Sequence, residues 1–274
     1  MMIEKNQISN LVSVDWLHTN MNASNLIILD ATINKVVDEI AIRIPNARFF
    51  DIKQKFSDTS APFPSTLPSK EQFEKEAKNL GINNNSIIVV YDDKGVYSSA
   101  RAWWLFKVFG FNDIAVLDGG LPEWKLNNFP VDYYTDEIYS KGNIGMDLNS
   151  KLMTNFEGIH HFIEDEEAQV IDARSEARFK CLVDEPRVGL RRGTIPNSMN
   201  LPYTKLFDGN TFKSIDQLSI IFSNLEMGKN KRTLVFSCGS GITACILALA
   251  ATLCNYKNLV VYDGSWTEYG SLIE

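Results

Sequence analysis

Residues 233–253 read TLVFSCGSGITACILALAATL. The first five, Thr233 to Ser237, form a short apolar run of the β-branched and aromatic kind that suits a buried strand. Cys238-Gly239-Ser240-Gly241 follows, and from about Thr243 the sequence turns into alanine and leucine, which favour helix. A strand, a glycine-rich turn and a helix in succession predict an α/β layered fold. Such folds gather their functional groups at the carboxyl ends of the strands, and a thiol stands at that corner here.

The same pattern occurs earlier in the chain. Ile87–Tyr91 matches Thr233–Ser237, Leu29-Asp30-Ala31 matches Ile171-Asp172-Ala173, and Ile44-Pro45-Asn46 matches Ile195-Pro196-Asn197. Leu117-Asp118-Gly119-Gly120 matches Tyr262-Asp263-Gly264-Ser265. The four offsets lie between 142 and 151 residues and keep their order. Two copies of one unit are therefore expected, residues 8–130 and 153–274, with 131–152 as a polar, Gly-containing linker without apolar periodicity. IILDA, IIVVYDD and IAVLDGG read as strands in the first copy, and QVIDA, LVFSC and LVVYDGS in the second. They are continuously apolar, as strands buried on both faces of a parallel sheet must be. SSARAWWLFKVFGF and TACILALAATLCNY read as helices ending near Gly110 and Asn255.

Composition narrows the function classes. The chain has 274 residues, is 45% hydrophobic and carries a net charge of −7, so nucleic acid and anionic membrane are not expected as partners. MMIEKNQISN lacks the apolar core and cleavage site of a signal peptide, and the longest weakly polar run, Ile242–Cys254, is too short to cross a bilayer. Four cysteines without paired spacing do not make a disulfide framework, which points to a reducing, cytoplasmic compartment. No pattern in the sequence calls for a metal or a cofactor.

The corner has consequences for the thiol. Gly239 and Gly241 let the loop curl so that its backbone amides face inward, and the helix that follows adds its positive end. Both favour the thiolate, which is the nucleophilic form. Cys238 is accordingly expected to be an accessible, reactive thiol; the alternative is a small buried residue at a strand end. Cys245 and Cys254 read as core, and Cys181 as an exposed loop residue. Aligning strand ends places Asp92 opposite Cys238, and a carboxylate cannot do thiolate chemistry on sulfur, so the first copy is expected to be catalytically silent.

A tandem α/β unit with its cysteine loop Cys238-Gly239-Ser240-Gly241-Ile242-Thr243 in the second copy resembles the two-domain rhodanese family, and within it the 3-mercaptopyruvate sulfurtransferase type. AWWLFKVFG (102–110), LDGGLPEW (117–124), DEPRVGLRRGTIPNSMNLPY (184–203) and YDGSW (262–266) strengthen the resemblance, which spans nearly the whole chain. It implies two rhodanese-like domains, each a parallel five-stranded sheet flanked by helices, with the second catalytic. It also implies a reaction in two halves. Cys238 takes sulfur from 3-mercaptopyruvate as a persulfide and releases pyruvate; a thiol such as that of thioredoxin, or cyanide, then accepts the sulfur. By the same resemblance Arg178 and Arg187 bind the donor carboxylate, with Arg191 and Arg192 as substitutes, and Ser240 bonds the substrate or shuttles a proton. Gly239, Gly241, Ile242 and Thr243 shape the cradle, Thr243 as a helix cap. Family members that prefer thiosulfate, a dianion, carry Arg or Lys in this loop; its absence here favours the monoanionic keto acid.

One departure stands out. Family members often add an acidic residue and a histidine from the first domain as a proton relay; here Lys53 and Ser65 occupy those places, so the relay is absent, or water, Asp51 or Asp58 replaces it. His18, His160 and His161 read as solvated surface. The competing readings are a thiosulfate sulfurtransferase, a persulfide carrier without turnover, and a phosphatase. The phosphatase would need an arginine closing the loop where Thr243, Ala244, Cys245 and Ile246 stand.

Overall fold

The computed structural model describes residues 2–38, 40–135, 137–225 and 232–273. It divides into two compact units, Met1–Thr59 with Leu67–Leu148 and Gly209–Phe212, and Ser60–Thr66 with Asn149–Asp208 and Lys213–Glu274. Each is built on one five-stranded, all-parallel sheet. In the first the order across the sheet is Leu11–Val12, Ile114–Leu117, Ile87–Tyr91, Leu26–Asp30, Arg48–Phe49. In the second it is Met153–Thr154, Leu259–Tyr262, Thr233–Ser237, Ala168–Asp172, Met199–Asn200. The two orders correspond strand for strand, so the repeat in the sequence is a repeat of topology.

The central strand of each sheet is the one that precedes the loop of interest. Ile87–Tyr91 is buried throughout, as is Leu234–Ser237 in its counterpart. Helices cover both faces. The helix Ala244–Leu253 is buried from Ala244 to Ala251, which accounts for a sequence with no polar face. In the second unit Val170, Val235, Val260, Tyr262 and Trp266 pack with Ile159 and Ile195 into one core. Most helices start conventionally, with Ser13, Ser69, Asn155, Ser175 or Ser214 accepting a bond from the first turn. The two helices that follow the central strands, Ser99–Val108 and Ala244–Leu253, have no such side-chain cap on their N-cap residues.

The stretch 131–152, which its composition suits to a linker, is anchored by strand pairing and burial. Asp132–Tyr133 pairs antiparallel with Ile42–Arg43, Tyr134, Ile144 and Met146 are buried, and the amides of Gly142 and Ile144 bond to Lys78 O and Ile82 O. The first unit therefore runs to Leu148. The anchoring residues sit at irregular intervals in polar sequence, so no periodicity betrays them; Asp136 lies outside the described residues. Gly142 approaches Ile82 so closely that a Cβ would overlap its backbone. Gly142→Ala is expected to lower stability by about 2 kcal/mol in urea unfolding, the usual cost of overpacking. An unchanged midpoint would mean that 131–148 is not integral to the unit.

Candidate active site

Cys238 follows directly on Ser237, whose strand neighbour is Asp172. Six residues, 238–243, connect the strand to the helix Ala244–Leu253. The two glycines answer different needs. Gly241 has φ +74°, a left-handed backbone that side chains avoid. Gly239 lies against Arg178, where a Cβ would stand 3.0 Å from the guanidinium Nη2.

The loop is tied down from the start of the next helix, Ser265–Leu272. The Ser265 hydroxyl accepts hydrogen bonds from the amides of Cys238 (3.0 Å) and Gly241 (3.2 Å) and lies 3.9 Å from the Cys238 sulfur. Trp266 N and Thr267 N donate to the carbonyls of Cys238 (3.0 Å) and Gly239 (2.8 Å). This overlay buries the thiol: Cys238 is 2% exposed, whereas the strand-end position alone predicts an open one. Gly239 and Ser240 are only half-buried. Ser265 itself sits at φ +51°, the angle of its counterpart Gly120 in the first copy. Holding a serine in that conformation costs about 1 kcal/mol.

Five amides of this short segment, those of Gly239, Ser240, Ile242, Thr243 and Ala244, have no acceptor among the described residues. The first copy resolves the same shortage internally. Asp92 occupies the position of Cys238, one residue beyond the strand pair Asp30–Tyr91, and its buried carboxylate accepts from Lys94 N (2.9 Å), Tyr97 N (2.7 Å), Ser99 N (2.8 Å) and the Ser99 hydroxyl (2.6 Å). The loop is thus an anion nest in both copies. One nest is filled by its own aspartate. The other surrounds a cysteine, Cys238, in place of a carboxylate.

An ion-pair chain flanks the loop. Arg174, fully buried, donates Nε to both oxygens of Asp172 (3.1 and 2.9 Å) and Nη1 to Glu185 (2.8 Å). Glu185 also accepts Nε (3.3 Å) and Nη2 (2.5 Å) of Arg178. Burial raises the Asp172 carboxyl above its usual range, and the bonds and charge of Arg174 only partly oppose this. Trp266 braces the chain, with Arg174 and Arg191 over its ring at 5.0 and 4.8 Å. Gly193 comes so close to that ring that a Cβ would lie 2.5 Å from it.

Of the residues singled out in the sequence, Cys238, Gly239, Ser240, Gly241, Ile242, Thr243 and Arg178 fall into this one region. Arg187 is exposed and makes no ion pair among the described residues. Arg191 and Arg192 are committed elsewhere: Arg191 Nε donates to Gly270 O and Ile273 O, and Arg192 pairs with exposed Asp184 at 2.9 Å. Thr243 holds the N-cap position, but its side chain makes no capping bond. The Ser240 hydroxyl has no protein partner among the described residues. Cys254 is half-exposed at the end of its helix rather than in the core, Cys245 is buried, Cys181 is exposed, and all four thiols are free. His160 is half-buried, edge-on to Phe156, and His18, although exposed, stacks on Phe129 at 4.2 Å. Asp51 accepts the amides of Lys53 and Gln54 and so caps its own turn. Sequence reasoning passed over Ser265, Arg174 and Glu185. Glu185 was visible in Glu185-Pro186-Arg187 and Ser265 in YDGSW, but each acts on a partner distant in the chain.

Comparison with known proteins agrees with this duplicated architecture. The model of the rhodanese-like domain matches the chain twice, at residues 13–127 and 157–272. The chain belongs to the rhodanese family. Among its rhodanese relatives, thiosulfate/3-mercaptopyruvate sulfurtransferase 1, mitochondrial, of Arabidopsis thaliana is 36% identical over 95% of this chain and 76% of its own length. The 3-mercaptopyruvate sulfurtransferase of Escherichia coli K12 is 34% identical over 95% and 94%. The crystal structure of SseA from Escherichia coli, which has the rhodanese fold, superposes with a TM-score of 0.82 at 31% identity, covering 94% of this chain and 99% of that one. Among the described residues no helix is long and apolar enough to cross a membrane.

Asp92 in this rhodanese fold acts as a structural plug. Asp92→Ala leaves three amides and a hydroxyl without their acceptor, the amide and hydroxyl of Ser99 among them buried, and is expected to lower stability by about 3 kcal/mol. The alkylation rate of Cys238 in the folded variant is expected to stay within about twofold. A folded Asp92→Ala protein with an altered Cys238 rate would show that the first copy bears on the second.

Proposed function

We propose that this chain is a sulfurtransferase that moves sulfur from 3-mercaptopyruvate, through a persulfide on Cys238, to a thiol or cyanide acceptor. The observation that carries the reading is the acceptor-poor loop around Cys238: five amides without an acceptor among the described residues, and a helix start, where the equivalent loop holds a carboxylate. Such a cradle stabilises negative charge on sulfur before, during and after transfer.

In the first half-reaction the Cys238 thiolate attacks the sulfur of the donor. The new S–S bond forms as the C–S bond breaks, and its electron pair leaves as the enolate of pyruvate, which takes up the proton given up by the donor thiol. Ser240 is the residue we assign to relay that proton, which its half-buried position and a hydroxyl with no protein partner among the described residues support. In the second half an acceptor thiolate attacks the outer sulfur, and Cys238 leaves as the thiolate that began the cycle. A dithiol protein of the thioredoxin type suits this step, because its second thiol releases the sulfur.

Arg178, half-buried beside Gly239, is the residue we assign to the donor carboxylate, with exposed Arg187 as a second contact. The loop between Cys238 and Ala244 contains no cation, which supports the monoanionic keto acid over thiosulfate as the preferred donor. Two relatives named for 3-mercaptopyruvate, at 34% and 36% identity, support the same choice. Four free cysteines, one of them the nucleophile, suit the reducing cytoplasm.

Intact-mass spectrometry after treatment with 3-mercaptopyruvate alone is expected to show a gain of one sulfur on the peptide containing Cys238. No gain, or a gain mapping to Cys181, would overturn the assignment. Cys238→Ser is expected to abolish transfer without unfolding the chain. Ser265→Gly relieves the backbone at φ +51° but removes the hydroxyl that binds two loop amides. Its kcat in cyanide-dependent thiocyanate formation is expected to fall by about 10- to 100-fold at unchanged thermal stability. A kcat equal to wild type would leave Ser265 a purely structural residue.

A further inference from the structure

The ion-pair chain beside the loop has a charge count. Asp172, Arg174, Glu185 and Arg178 are two carboxylates and two guanidiniums, linked in sequence at 2.5–2.8 Å. Their sum is zero. Three of the four side chains are at most 1% exposed; Arg178 alone reaches solvent, at 24%. Its Nε and Nη2 are occupied by Glu185, so the edge left for a ligand is the one formed by Nη1 and the outer hydrogen of Nη2, the side that lies along Gly239. An anion that docks on Arg178 therefore meets a cation already balanced by Glu185.

We propose that Glu185 is a specificity-determining residue that restricts this site to donors with a single negative charge. The inference rests on the reading that donors bind at Arg178 and deliver sulfur to Cys238. With Glu185 ionised, a monoanion brings the cluster to −1, while a dianion such as thiosulfate brings it to −2 in a partly buried setting, where each uncompensated charge is costly. Arg174 makes the arrangement possible. By holding Glu185 from behind, it fixes the carboxylate so that it neither follows the ligand nor withdraws from Arg178. Arg187, exposed and the second contact proposed for the donor, adds the same positive charge for either donor, and the exposed pair Arg192–Asp184 is neutral, so the difference of one charge between the donors stands in every variant below.

The test measures a ratio, which a loss of packing would not move. In the full chain, Glu185→Gln preserves shape and removes one negative charge. The ratio of kcat/KM for thiosulfate to that for 3-mercaptopyruvate is expected to rise about tenfold, the effect of one unit charge at this separation in a half-buried site. Glu185→Asp keeps the charge and is expected to lower both donors together, leaving the ratio within about threefold. Should Glu185→Gln fail to fold, Asp172→Asn removes the same charge one link further away and is expected to shift the ratio in the same direction by about threefold. Binding is measured in parallel by calorimetry, with pyruvate and thiosulfate, on the Cys238→Ser variant and on the double variant that adds Glu185→Gln. Both anions binding with a ratio that Glu185→Gln leaves unchanged would overturn the role of Glu185 alone. Neither anion binding to any variant would overturn the donor site at Arg178 and the inference with it.

Discussion

A main-chain amide removed from water must find an acceptor, and a helix start concentrates several that cannot find one within the helix. That requirement organises both halves of this protein. The central strand of each sheet ends in a loop that turns its amides toward one point, and the helix that follows lacks a capping side chain. In the first copy the shortage is met by Asp92. In the second it is met in part by Ser265, and the rest is left for an anion centred on Cys238. In the proposed reaction catalysis and stability draw on the same groups, and the loop assigned to the chemistry is the one whose backbone bonding is incomplete among the described residues.

The two copies also diverge beneath the loop, in a compensated way. Asp30 and Asp172 hold the same place on the same strand. In the first copy Tyr91 and Tyr134 donate their hydroxyls to Asp30, and Lys35 adds its ammonium at 2.5 Å. Burial beside that carboxylate pushes both tyrosines up from their ordinary ionisation range. In the second copy Ser237 stands at the position of Tyr91 and Arg174 at that of Thr32. A guanidinium meets Asp172 where hydroxyls and an ammonium meet Asp30, and the aspartate becomes the anchor of a chain of charges that ends beside Gly239.

The fold was largely readable from the sequence because parallel strands buried on both faces leave continuous apolar runs, and because a duplicated unit repeats its punctuation. All six runs read as strands, from IILDA to LVVYDGS, are strands. The end of the first unit was not readable. Tyr134, Ile144 and Met146 anchor a polar stretch at intervals that match neither helix nor strand. Around the loop, sequence marks the groups whose chemistry is local, Cys238 and the glycines. It does not mark Ser265, 27 positions on, or the burial that the helix start at Ser265 imposes on the thiol. Arg187 drew notice over Glu185 because an exposed cation announces itself by type, whereas a buried carboxylate acquires its meaning only from the two arginines folded around it.

The plug in the first copy bears on how such proteins change over evolutionary time. A nest made of backbone cannot be deleted by exchanging a side chain; it persists as long as the fold does. A duplicated catalytic unit of this kind is therefore silenced most readily by occupation, with one acidic residue supplying permanently the charge that a substrate would have brought. The capacity to bind an anion is then stored in the plugged half, hidden but intact, behind a single codon.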